Sequence, residues 1–568
     1  MFKPCRNDPA AAQPPNDAST EPCQSDTKGP TVRTRTPSIA VGGFAAVALL
    51  LTSCSATTTG GTSDGPDADG YVAQVDESVE STGGTLKLQL DYDTAETGGL
   101  DPAVAEIARS WSIEGLVYES LVTMGPNFEI QPELAESWEQ VDDTTYVFTL
   151  RDGATFSNGR EVTADDVVGS LERLQELGAV WSAQLGPIDS IDNTSEGDTD
   201  EVTISLAEPY TPLLAALANT PAAILPMQEL EAGDFDPATE MLGSGPFTMA
   251  EHRQDESWTF EANPEWWNAD SLGVDGVEIE IAGDDQTRLA ALRDGSTHFA
   301  NFANPDALSL LASTGDVTAV SQEQSDYFYV MLNSVNPDSP FVDDELRSQV
   351  NAALDRESIA DIALAGAGSP TAVTPANLPG ACAADSVPSY SAEVDATALE
   401  GQEFTLLIYS GDPSLSAVGQ VVKQQLEQVG ATVNLETLDY GTYSERVYAT
   451  QPGDFEMALG WFAGYGDAAM VTSWWNPDTA FFNAGFTQSH DDLNVAIAET
   501  QRLPVGDERD AAFAEVCGLV DTYAEMIPLA TRPTVIGYRS DQLQASILGG
   551  EGYGDFLRGV PEYRLTEG

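Results

Sequence analysis

Residues 118–173 constrain the fold of this chain more than any other stretch. Tyr146-Val147-Phe148-Thr149-Leu150 alternates large apolar residues with others at period two, the spacing of a strand with one face inward. Asp152-Gly153 and Asn158-Gly159 follow, dipeptides that reverse an antiparallel pair tightly. Thr163 then precedes Ala164-Asp165-Asp166-Val167-Val168, so a hydroxyl stands at the cap and two carboxylates in the first turn, where the helix dipole favours negative charge. The pattern predicts a helix to about Leu177 and a compact α+β unit, with Tyr146, Phe148, Leu150 and Phe156 in its core.

Taken in order, Tyr118-Glu119-Ser120-Leu121, residues 132–138 (PELAESW), residues 146–156 and Thr163-Ala164-Asp165-Asp166-Val167 resemble the signature of the family 5 extracellular solute-binding proteins of ABC importers, which includes oligopeptide-, dipeptide- and nickel-binding members. Gly243-Ser244-Gly245-Pro246-Phe247, Asn263-Pro264-Glu265-Trp266-Trp267, residues 288–295 and residues 340–356 are similar to further landmarks of that family, and the resemblance runs from about Leu86 to Leu529. It implies an α/β, two-lobed periplasmic-binding-protein-like fold of type II with an extra subdomain. On that expectation lobe I combines residues 85–124, 242–324 and 530–568, the extra subdomain is 125–241, and lobe II is 325–529.

The front of the chain bears on location. Residues 39–51 form an apolar and small-residue run preceded by Arg33 and Arg35, too short to span a bilayer and of the length of a signal-peptide core. Leu51-Thr52-Ser53-Cys54 resembles a bacterial lipobox, which implies a signal peptide over 1–53, lipid attachment at Cys54 and anchoring outside the cytoplasmic membrane. Residues 54–84, rich in Thr, Ser, Gly and Asp, are expected to be a disordered tether. Gly61-Thr62-Ser63-Asp64-Gly65 has the spacing of a hydrolase nucleophile turn but neither the preceding strand nor the following helix.

Charge and composition exclude several classes. Lys and Arg number 23 against 92 Asp and Glu, a net charge of -69, so nucleic acid is repelled at every approach. The three histidines, His252, His298 and His490, have no metal-ligand spacing, and no phosphate-cradling glycine loop occurs, so no cofactor, metal or catalytic residue is assigned. The acidic turn 192–201 lacks the glutamate of a calcium loop, with Thr203 in its place. Cys382 and Cys517 are the pair left after Cys54, and in an exported chain they either bond or serve as small buried residues.

Residues 404–409, 415–429 and 432–438 read as strand, helix and strand, with Gly430 ending the helix. Ligands of open α/β sheets sit beyond the carboxyl ends of the strands, which points at Ser410 and Gly411 and at the end of a later strand, residues 456–461. In peptide-binding members of the family the loop after that strand carries an aspartate that pairs with the ligand's α-ammonium. Here the loop is Trp461-Phe462-Ala463-Gly464-Tyr465-Gly466-Asp467, so Gly464 stands at that position, and Asp467 either supplies the carboxylate or caps a turn. Trp461 and Tyr465 are expected in the cleft, and Trp474 and Trp475 in the cleft or the lobe core.

The resemblance thus implies a monomeric, non-enzymatic binding subunit that closes on a ligand and passes it to permease and ATPase partners. Peptide is the first expectation for the cargo. An oligosaccharide, a metal chelate or another small cationic solute is the alternative, and a secreted hydrolase or a surface receptor or chaperone-like module are remoter ones.

Overall fold

The computed structural model describes residues 70–76, 78–95, 98–105, 108–197, 199–462, 465–480, 482–552 and 556–566. The signal-peptide, Cys54, Gly61–Gly65 and Gly464 readings fall outside these residues. Three sheets organise the chain. Five strands, in the order Thr432–Leu438, Glu403–Tyr409, Met457–Phe462, Tyr327–Leu332 and Met526–Thr531, form the sheet of lobe II. Its first two strands are parallel and are joined by the helix Pro413–Gln428, the strand-helix-strand unit that the sequence predicts. Tyr327–Leu332 lies between two antiparallel neighbours and is buried along its whole length, as a run without polar alternation requires.

Eight strands make the sheet of lobe I, in the order Gly550–Glu551, Val317–Gln324, Thr534–Arg539, Phe299–Phe302, Thr85–Leu90, Gly276–Ile281, Ser257–Ala262 and Phe247–Arg253. The third sheet orders Ala135–Asp142, Thr145–Leu150, Glu201–Leu206 and Ile188–Asn193. Tyr146, Phe148, Leu150 and Phe156 are all buried beneath it. The helix Ala164–Leu177 packs against this sheet and starts at a reciprocal capping box between Thr163 and Asp166. Asp166 also pairs with Arg160 at 2.8 Å and accepts from the Met227 amide at 3.0 Å, so one carboxylate joins the helix start to two neighbouring segments.

The chain passes between the two larger sheets at Ser325-Asp326 and again at Arg532-Pro533. These crossings lie side by side, with the Arg532 amide donating to the Asp326 carbonyl at 2.7 Å. Two adjacent single-strand crossings are the geometry of a hinge.

Two points bear directly on the sequence reading. Tyr71–Ala73, inside the stretch expected to be a tether, forms a strand paired antiparallel with Ile547–Leu548, so the body begins earlier than composition indicates. Cys382 and Cys517 are disulfide-bonded, with their Cα atoms 6.5 Å apart, which settles a pairing that spacing had left open.

Candidate functional site

At the carboxyl ends of the lobe II strands the predicted residues separate. Ser410 is exposed in the turn after its strand, while Asp412, two residues on, is buried. Asp412 caps the helix Pro413–Gln428 by accepting from the Leu415 amide at 3.0 Å, and its other oxygen lies 3.5 Å from Arg532. Ser414 Oγ donates to the Ala303 carbonyl at 2.9 Å, which ties the start of this lobe II helix to the loop after a lobe I strand. Aspartate directly before proline at a strand-helix junction is a cap signature. The sequence therefore held the signal for Asp412, although only Ser410 and Gly411 were drawn from it.

Arg532, where the chain passes between the two larger sheets, lies over the Trp461 ring at 4.4 Å in a cation-π contact. The same guanidinium is 3.9 Å from Asp326, and its Nε is buried without a hydrogen-bond partner. On the lobe I side Asp91 follows the strand Thr85–Leu90 and is held by Arg109 at 3.3 Å and by Asn301 Nδ2 at 2.8 Å. Burial opposes its charge, but Arg109, the Asn301 hydrogen bond, Arg288 and Arg532 together outweigh burial and hold the carboxyl below its ordinary range. Burial likewise opposes the charge of Arg109, which is sustained by Asp91 and Tyr92 and, from the other side of the cleft, by Asp412 and Asp326.

A second group is aromatic. Tyr465 is buried, with its ring edge-on to Trp181 at 5.1 Å and 5.9 Å from Trp474. Trp181 in turn meets Trp111 at 5.2 Å, so an aromatic row runs from a lobe I helix through the extra subdomain into lobe II. Gly466 permits this approach, since a Cβ there would stand 2.0 Å from Met124 Cε. Trp474 is 4.3 Å from Phe462, and its Nε1 is buried with no partner. Trp475 points elsewhere: it stacks on Tyr327 at 6.2 Å and donates to the Met526 carbonyl, a core position.

Asp467 does not offer a free carboxylate. It accepts from the Ala469 amide at 2.7 Å, capping Ala468–Thr472, and from Arg509 through both oxygens, at 2.9 and 2.7 Å. Of the two roles that the sequence leaves open for Asp467, these contacts match the cap, and a bidentate guanidinium occupies both carboxylate oxygens. Arg532, Arg109, Asp91, Trp181 and Tyr327 had no local sequence signal, since tertiary contact alone brings them to this end of the lobes.

A cavity of about 520 Å³ lies between lobe I and the extra subdomain, lined by Glu119, Trp266, Trp267, Arg558 and Met124 among others. It is not at the strand ends of lobe II. Glu119 Oε1 accepts from both Trp266 and Trp267 Nε1 at 2.8 Å, and burial pushes its carboxyl up to about 7. Among the described residues no cluster of three or more His, Cys, Asp or Glu is placed to hold a metal, and no helix is long and apolar enough to cross a membrane.

Comparison with known proteins gives one consistent answer. The profile described as "Bacterial extracellular solute-binding proteins, family 5 Middle" matches residues 129–483. The probable D,D-dipeptide-binding periplasmic protein DdpA of Escherichia coli is 27% identical over 402 residues, covering 67% of this chain and 76% of its own length. The glutathione-binding protein GsiB of Salmonella typhimurium is 24% identical over 453 residues, 77% of this chain and 87% of the relative. Among solved structures, the ABC transporter substrate-binding protein CtaP of Listeria monocytogenes superposes with a TM-score of 0.74 at 19% identity, covering 85% of this chain and 100% of that one. DppA of Helicobacter pylori, solved in complex with the peptide STSA, superposes with a TM-score of 0.68 at 20% identity, covering 86% of this chain and 99% of that one.

Proposed function

The chain belongs to the bacterial extracellular solute-binding proteins of family 5, and from that premise we propose that it is the solute-capturing subunit of an ABC importer. It is held by lipid at Cys54 on the outer face of the cytoplasmic membrane, works as a monomer without catalysis of its own, and takes peptides between its lobes for delivery to permease and ATPase partners. One observation carries the reading. Two hydrogen-bonded crossings at Asp326 and Arg532 join lobes whose side chains converge just beyond them, with Asp412 and Trp461 from one lobe and Asp91 and Arg109 from the other.

The mechanism follows from that geometry. Ligand contacts with both lobes favour the closed arrangement over the open one, and only the difference in affinity between the two shifts the balance. Relatives named for D,D-dipeptides and glutathione support a peptide-like cargo. A non-peptide solute is the second reading, favoured by the bidentate hold of Arg509 on Asp467, which leaves that carboxylate no role in binding an ammonium. Mass spectrometry of the ligand released on denaturing protein purified from its host tests the cargo. Small-angle scattering with and without that ligand tests the closure. A peptide mixture and compaction are the expected results, whereas a chemically altered ligand or an unchanged radius overturns the importer reading.

A further inference from the structure

Buried polar atoms in folded chains nearly always find partners, and one side chain here departs from that rule twice over. Among the described residues Asn377 is the only side-chain amide whose two polar atoms, Nδ2 and Oδ1, are both buried without a hydrogen-bond partner. Turning the amide over changes nothing, since donor and acceptor are equally unmet. Other buried asparagines differ: Nδ2 of Asn219, Asn263, Asn301 and Asn333 donates to Ala215, Gly245, Asp91 and Gly453 respectively.

The loop that carries this amide is pinned to lobe II on both sides. Asn377 stands in a turn of residues 375–378, closed by the Leu378 amide donating to the Pro375 carbonyl at 3.1 Å. Before the turn, the Thr371 amide donates to the Leu529 carbonyl at 3.1 Å, and Thr371 Oγ1 to the Thr374 carbonyl at 2.6 Å. After it, the Cys382 amide donates to Thr374 Oγ1 at 3.2 Å, and Cys382 is bonded to Cys517.

Three parts of the molecule meet at Asn377. A Cβ on Gly550, in the edge strand of the lobe I sheet, would stand 3.4 Å from Asn377 Nδ2 and 3.1 Å from Phe128 Cε2 of the extra subdomain. Glycine at 550 thus lets lobe II, lobe I and the subdomain come together at one point. Phe128 reaches it with φ 60°, after Asn127 with φ 55°, left-handed values that residues with a Cβ seldom adopt and that gather at ligand clamps. The polar groups along the edge strand and its neighbour are engaged elsewhere. Glu323, opposite Gly550, accepts from Thr531 Oγ1 at 3.3 Å; Gln324 donates to Gln322 at 2.9 Å; Glu551 lies 3.5 Å from Arg558.

We infer that Asn377 makes closure conditional on cargo: with the lobes together its amide goes unmet unless a ligand supplies an acceptor and a donor side by side, as the C=O and N–H of one extended peptide residue do. This rests on the solute-capture reading and deepens it. Paired residues of two strands exchange both bonds in the same way, so the amide stands in for a strand and reads peptide backbone whatever the side chains. With the lobes apart, water serves the amide, and closing on nothing strips that water away. A ligand shifts the lobes only by the difference in its affinity for their two arrangements, and this contact exists in one of them alone.

Asn377→Leu keeps the size of the side chain and removes both polar atoms. Small-angle scattering of the full chain without ligand should give a smaller radius for the variant, because closing empty no longer leaves an amide unmet and the closed-to-open ratio rises about tenfold. An unchanged or larger radius overturns the inference. Calorimetry tests the ligand side with trialanine and two analogues in which the N–H of the second or of the third residue is replaced by an ester oxygen. In the wild type one analogue should bind about tenfold more weakly than trialanine, and in Asn377→Leu that analogue and trialanine should bind alike. An ester effect that survives in the variant assigns the backbone contact to another group and overturns the inference. If trialanine does not bind the wild type, the scattering comparison decides alone.

Failure of the capture reading gives a different result. A wild type that does not compact on its co-purified ligand removes solute capture itself. Compaction of the wild type on that ligand, with Asn377→Leu no more compact than wild type in its absence, removes only the role of Asn377.

Discussion

Arg509 grips Asp467 through two parallel hydrogen bonds, at 2.9 and 2.7 Å, while the same carboxylate caps the helix Ala468–Thr472. Both partners are largely removed from water. Removing one side of a buried pair leaves the other charge uncompensated, so Asp467→Ala should lower stability by about 3 kcal/mol in urea titrations. The same variant should bind ligands with free and blocked amino groups in the wild-type ratio. A selective loss for free amines would return Asp467 to the role of ammonium anchor.

Glu119 makes stability depend on pH in a direction opposite to that of a paired carboxylate. Its ordinary value is 4.5, and burial raises it to about 7 in the folded chain, against the pull of the Trp266 and Trp267 N–H groups. Between those values the folded chain keeps a proton that the unfolded chain has released. Its contribution therefore makes stability fall as pH rises through the window, by about 1.4 kcal/mol per pH unit, and level off above it. Glu119→Gln keeps an oxygen for the two indoles and carries no titrating proton. Its difference from wild type in urea midpoints should shrink steadily toward the acid end of the window, and a constant difference would refute the assignment.

The Cys382–Cys517 bridge spans a sequence separation of 135 residues, long enough that its loss frees much chain entropy in the unfolded state. The paired serine variant should lose about 4 kcal/mol. Far-UV dichroism should be unchanged below the transition, because both residues lie in a buried cluster that also holds Phe513 and Val516. A loss under 1 kcal/mol would show that the unfolded chain is constrained by other means.

What the sequence made legible was local. The helix start at Thr163 and the strand-helix-strand unit around Pro413–Gln428 both follow from period and cap within a few residues. The hinge was not legible, because Asp326 and Arg532 are distant in the chain and only the folded sheets bring their backbones together. Trp474 and Trp475 show the same limit on a smaller scale: adjacent and alike in composition, they point to different surroundings because they share a single 3-10 turn. Tyr71–Ala73 was hidden in polar sequence for a related reason, since its partner Ile547–Leu548 lies near the other end of the chain.

Ser414 offers a direct handle on closure. Its hydroxyl donates from the first turn of the helix Pro413–Gln428 to the Ala303 carbonyl in lobe I, at 2.9 Å, and the helix itself is capped by Asp412 and not by Ser414. Ser414→Ala therefore deletes a contact between lobes while leaving the helix start intact. One hydrogen bond of this kind contributes about 1 kcal/mol, which shifts the closed-to-open ratio and hence the apparent ligand affinity about fivefold. The global urea midpoint should move little, because each lobe keeps its own core. Small-angle scattering of the unliganded variant should show a larger radius than wild type. An affinity loss with no change in radius would mean that Ser414 acts on the ligand and not on the lobes.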